Sequence, residues 1–184
     1  MNRASSLLTP ELAALLPTAR WMIRQSDSGR GYAGFVWAPK GEWTTCPRWK
    51  KNSGKKPDCD NGGLFGQSPL ASGHMSQGNR IELCETDEQF AVGDDKVKTA
   101  RARIVAIDGE IPPEFFAAVP NLALDLSGCD LKGITLPTSV GGWLDLSGCD
   151  LKGITLPTSV GGWLYLRGCD LKGITLPKGV KVIK

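Results

Sequence analysis

Three cysteines and the chain's single histidine fall within one stretch of the 184 residues: Cys46, Cys59, His74 and Cys84. Thiolates and an imidazole together make a chemically complete zinc set. The spacings contain no C-x2-C knuckle, the usual mark of a structural zinc site, so neither a metal nor a cofactor is expected. A Cys–His nucleophilic pair would also need an orienting third group and a pocket, and the sequence identifies neither. An enzyme or a zinc site in this region therefore stands only as an alternative. A second cluster, "RWKKNSGKK", supplies Arg48, Lys50, Lys51, Lys55 and Lys56 around Trp49. Such cations can meet a phosphate backbone, and an indole can stack on a base. The same run also reads as a solvated loop.

The other three cysteines behave differently. Cys129, Cys149 and Cys169 recur at an interval of 20, within a longer pattern L-x-L-x-G-C-x-L-x-G-I-x-L-P followed by G-G-W. A fixed period of this size predicts stacked repeats, since one repeat cannot bury its own apolar face. Leu144 and Leu146 are expected to point inward from a short strand. Gly148 permits a turn, Cys149, Leu151, Ile154 and Leu156 complete the core, and Gly161–Gly162 make the tight return. The cysteine row is read as a core ladder. Its spacing of about 5 Å does not by itself exclude a disulfide.

If the leucines face inward, alternation puts Trp143, Asp145 and Ser147 outside, with Trp163, Tyr165 and Arg167 one repeat later. The third copy replaces Asp by Tyr165 and Ser by Arg167 while its core letters stay the same. Tryptophan, tyrosine and arginine are the types that dominate protein interfaces. These six residues are the candidate partner-binding surface, though the tryptophans could instead only shield the glycine returns. The repeats hold no histidine, no acid pair across a cleft and no phosphate loop, so catalysis is not expected of them.

The stretch "GGWLDLSGCDL" resembles the leucine-rich-repeat pattern L-x-x-L-x-L-x-x-N/C-x-L, with Cys149 at the Asn/Cys position. The "ITLPTSV" half looks like the short, proline-marked repeats of bacterial effector-type leucine-rich proteins, and similar coils occur in phage-encoded proteins. The resemblance covers Leu122 to Ile183 and implies a solenoid that binds through its outer strand face. A triangular β-solenoid is the competing architecture. Earlier in the chain, "GYAGFVW", "CDNGGLFGQSP" and "RIELCETDEQFAVGDDKVKTARARIV" are similar in layout to an uncharacterised domain of phage and bacterial proteins. Phe65-Gly66-Gln67 stands where that domain has a His-Ala-Cys element, and no activity carries over.

The elements that must position these groups follow from local signals. Thr9, Pro10 and Glu11 open a short helix with Leu12, Leu15 and Leu16 on one face. Gln25 to Gly31 reads as a linker, Gly31 to Pro39 as a strand, and Asn79 to Gly93 as one or two strands. Cys46 to Asn79 reads as a long irregular excursion. In "VKTARARIVAID" Ala100, Ala102, Ile104 and Ala106 alternate with Arg101, Arg103 and Val105, as in a strand with one wet face. "GEIPPEFFAAVPN" predicts a turn or two of helix that caps the repeats. The expected organisation is a helix and linker over 1–30, a small β-rich domain over 31–108, and a capping segment with the repeat solenoid over 109–184. The fold class is α+β, mostly β.

Net charge is +3, with 15 Lys/Arg against 12 Asp/Glu in residues 1–108 and 7 of each after that. No apolar run approaches the roughly 20 residues needed to cross a bilayer. Pro10 and Glu11 interrupt the N-terminal leucines, so no signal peptide is expected. These features point to a cytoplasmic, non-enzymatic module that binds another protein. The phage-type resemblance narrows that to an inhibitor of a host defence system, such as a CRISPR-Cas complex, acting in the host cytoplasm. The alternative partner is nucleic acid, through the basic run.

Overall fold

A computed structural model describes residues 7–27, 29–31, 35–49, 62–73, 78–92, 96–132 and 134–184. The protein is mostly β, built of several sheets. The strands of the first half are β1 (Trp21–Ser26), β2 (Trp43–Thr45), β3 (Leu64–Gly66), β4 (Arg80–Thr86), β5 (Gln89–Val92), β6 (Lys96–Thr99) and β7 (Arg101–Ile107). They form two antiparallel sheets, in the orders β1-β4-β7-β2 and β3-β6-β5. A short helix α1 (Pro10–Leu15) precedes them, capped as expected by the Thr9 hydroxyl, which accepts from Leu12 N–H.

Three local readings change. Gln25 and Ser26 are not linker but the end of β1, every residue of which is buried. Polar side chains hid this strand from the hydrophobic pattern, and each has a buried partner, described below. Among the described residues of Gly31 to Pro39 there is no strand, only a bridge between Arg30 and Val36. Gly31 N–H donates to Phe35 C=O. Within the expected irregular excursion lies β3, followed by the fully buried Gln67 and Ser68.

The alternation expected around Arg101 is present from Ala102 on: Ala102, Ile104 and Ala106 are buried and their neighbours are not, while Ala100 is half-buried in the bend before the strand. A bulge refines it. Leu83 pairs with Ala106 and Cys84 with Ile104, so Val105 is an extra residue in β7. Past it the strand changes face. Ala102 and Ile104 join one core with Met22 and Cys84; Ala106 joins the other with Trp21, Ile23, Ile81 and Leu83.

That second core runs on without a break into the repeats. The expected cap is α2 (Pro113–Ala117), whose Phe115 and Phe116 are buried; the Trp21 and Phe115 rings meet edge to face at 4.8 Å. Beyond it, β8 (Leu124–Asp125), β10 (Leu144–Asp145), β12 (Trp163–Tyr165) and β13 (Lys181–Ile183) form one parallel sheet, in the order β13-β12-β10-β8. Leu144 lies opposite both Leu124 and Leu164, the register that a shift of one repeat dictates. A second parallel pair joins β9 (Ser139–Val140) and β11 (Ser159–Val160). Leu124, Leu126, Leu144, Leu146 and Leu164 are inaccessible to solvent.

The glycines of the repeat have two separate reasons. Gly148 has φ +73°, so the turn after the strand needs a residue free of Cβ strain. Gly161 has no such φ. A Cβ there would lie 2.2 Å from the carbonyl oxygen of Gly141 in the preceding repeat. The Gly-Gly return is thus required by the closeness of two backbones, not by the turn angle.

Candidate partner-binding surface

The outer sheet face carries the six residues singled out from the sequence. Trp163 is 43% exposed and Arg167 is exposed, while Trp143, Asp145, Ser147 and Tyr165 are half-buried. The rings of Trp143 and Tyr165 meet edge to face with centroids 6.5 Å apart, across the boundary between repeats. Lys181 on β13 places its ammonium 5.3 Å from the Trp163 ring centre. The sequence reading missed Lys181. Its signal was available, because the third copy also changes "LPTSV" to "LPKGV" and continues into lysines.

The aspartates of this face are structural. Asp145 Oδ1 accepts from Ser147 N–H at 2.8 Å, and Asp125 Oδ1 takes both the N–H and the hydroxyl of Ser127. Each closes the turn at the end of its strand. In the third repeat Tyr165 cannot do this. That copy gives up a turn-closing bond and presents a phenol and a guanidinium instead.

The thiol row packs against the core, with Cys149 buried and Cys129 and Cys169 half-buried. Cys149 Sγ–H donates to Leu126 C=O and Cys169 Sγ–H to Leu146 C=O, both at 3.0 Å, so each thiol ties its repeat to the one before. Burial pushes the Cys129 and Cys149 thiols above their ordinary range.

Of the zinc candidates, Cys46 and Cys84 are buried, and His74 and Cys59 lie outside the described residues. Among the described residues no group of three ligand-type side chains could hold a metal ion. Burial raises the Cys84 thiol far above its normal value, which leaves it protonated and a poor nucleophile. Beside it lies a polar cluster that the sequence did not reveal. Glu82, wholly buried on β4, accepts from the Ser26 hydroxyl and from Arg80. Arg24 Nε stands 3.1 Å from its other oxygen without hydrogen-bond alignment, and the Arg24 guanidinium stacks 3.8 Å over the Trp37 ring. Burial draws Arg24 below its ordinary value while Glu82 opposes the shift.

Of the basic run, Lys50, Lys51, Lys55 and Lys56 lie outside the described residues. Arg48 is exposed. Trp49 is half-buried against Phe90 at 5.8 Å and the ammonium of Lys98 at 5.5 Å, so part of its ring is committed to the molecule itself. A shallow depression of about 320 Å³ between α2 and the strands β9 and β11 is lined by apolar residues, glycines and two serines, with no titratable group. Among the described residues no helix is long and apolar enough to cross a membrane. No protein family, no curated protein and no solved structure matches the chain.

Proposed function

We propose that the chain is a non-enzymatic binding protein whose repeats form a short solenoid of the leucine-rich type and recognise another protein through their outer strand face. One observation carries the reading. The third repeat keeps every inward residue yet exchanges the aspartate and serine of its turn for Tyr165 and Arg167, a change the fold does not need. Together with Trp143 and Trp163 these residues give a rigid aromatic surface with a cationic edge, the composition of an interface hot spot. A triangular β-solenoid would present the same face, so the reading does not depend on which coil shape holds.

The proposed partner, a bacterial defence complex such as a CRISPR effector met in the host cytoplasm by a phage-encoded chain, follows from the resemblance of the repeats and the first half to phage-type sequences. Capture from bacterial lysate on the immobilised protein, read by mass spectrometry, is the test. A Trp163→Ala/Arg167→Ala variant is expected to lose the captured partner while retaining the circular dichroism of the parent. Capture undiminished by the double change would sink the outer-face reading.

A further inference from the structure

The far end of the repeat stack differs from its head end in both packing and charge. Each residue that is buried in the second repeat at Cys149, Leu151, Leu156 and Val160 has a half-buried counterpart in the third: Cys169, Leu171, Leu176 and Val180. With Val182 they leave an apolar platform on the last turn of the stack. Around it stand Arg167, Lys172, Lys178, Lys181 and Lys184, all exposed. The first two repeats each carry two aspartates and one lysine (Asp125, Asp130 and Lys132, then Asp145, Asp150 and Lys152). The third has the five cations against Asp170 alone. The positive charge of the second half is therefore concentrated at this end.

Among the described residues the edge of the sheet is open there as well. Ile183 C=O accepts from Leu166 N–H, so alternation turns the N–H and C=O of Val182 away from β12. Among the described residues no strand pairs with that side of β13.

We infer that this end is a second docking site, and that its occupant is an acidic polypeptide segment that adds a strand to β13 and lays apolar side chains on the platform. Charge selects the occupant. A second copy of the chain meeting end to end would bring five cations against five, and lysines on a strand edge are a device that prevents such self-pairing. An acidic strand turns the same lysines into attraction, with main-chain bonds to Val182 for affinity and the apolar platform for register. A nucleic acid fits less well, because the cations ring a compact apolar patch and do not line a groove. The site shares Arg167 and Lys181 with the outer face, while Lys172 and Lys178 lie beyond the outer strand and belong to this end alone.

The test uses the full chain and an end-blocked octapeptide of alternating glutamate and valine, titrated calorimetrically. Binding is expected, weakening as salt is raised. A Lys172→Glu/Lys178→Glu variant should weaken it about tenfold or more, while Trp143→Ala leaves it unchanged. The matching lysine–valine peptide should not bind. Any of four results would overturn the proposal: no binding of the acidic peptide, binding insensitive to the charge reversal, an oligothymidylate that binds tighter and loses affinity in the same variant, or dimerisation of the chain through this end in sedimentation. Because Trp143 and the two lysines are changed separately, loss of one site is read independently of the other.

Discussion

At the head end of the stack, the outer edge of β8 meets two glutamine side chains. Gln67 donates its Nε2–H to Ala123 C=O at 2.9 Å and accepts from Ala123 N–H at 3.1 Å. Gln25 does the same for Asp125, at 2.7 and 2.9 Å. Each primary amide stands in for one peptide of a missing strand. Gln67 in turn exchanges two backbone bonds with Ile23 of β1, so the amide that seals the repeats is itself anchored to the first half of the chain. At the other end no strand among the described residues pairs with the outer side of β13, and lysines take the place of amides. A buried strand edge must have its donors and acceptors satisfied, whereas an open one needs only to be made unattractive to its own kind.

The comparison can be broken most severely at the head end. In Gly141→Ala the new methyl would lie 1.9 Å from the Pro120 carbonyl oxygen, between the cap and the second repeat. The variant is expected to lose about 4 kcal/mol or more, or not to fold, in urea titration. Gly153→Ala, in a turn with open space around it, should cost only about 1 kcal/mol. Next comes Gln67→Leu, which leaves Ala123 N–H and C=O buried without partners. About 2–5 kcal/mol should be lost, with the repeats melting apart from the first half as seen by hydrogen exchange. Packing gives a graded contrast: Leu151→Ala should cost about 2–4 kcal/mol, and Leu171→Ala at the open end markedly less. Restoring the second-repeat letters, Tyr165→Asp with Arg167→Ser, should change stability by less than about 1 kcal/mol, since it recovers the turn bond and gives up the ring contact with Trp143.

The smallest effect concerns Asp108, whose carboxyl is raised from its ordinary range by burial despite the Ile81 N–H bond to it. A raised acid favours the folded state as pH falls from its folded pKa toward the unfolded one, and is a penalty above. Asp108→Asn keeps the acceptor and suits the positive φ of 43° at this position. Its melting temperature should exceed the parent's at neutral pH, and the gap should shrink near pH 4, around the unfolded aspartate value.

How much of this was written in the sequence varies with the region. The repeats were legible because a period of 20 forces like residues to stack, so Leu144, Cys149 and the Gly-Gly return could be placed before any coordinates. The outward direction of Trp163 and Arg167 followed from strand alternation. The first half was not legible in the same way. β1 hides behind Arg24, Gln25 and Ser26, whose burial depends on Glu82 and Asp125, distant in sequence. The two capping glutamines carry no local signal at all, since an amide closing a strand edge looks like any surface glutamine until the edge is in place.

The Gly-Gly returns have one more implication. Because successive repeats touch backbone to backbone there, a tandem duplication of Gly141–Val160 would meet the same neighbours above and below and need no repacking. Such an insertion would lengthen the stack by about 4.8 Å, one strand spacing, and leave the amide-sealed start and the basic finish unaltered. Array length is then a ruler that evolution or an engineer can reset in whole steps, setting the distance between the head and whatever meets the last turn.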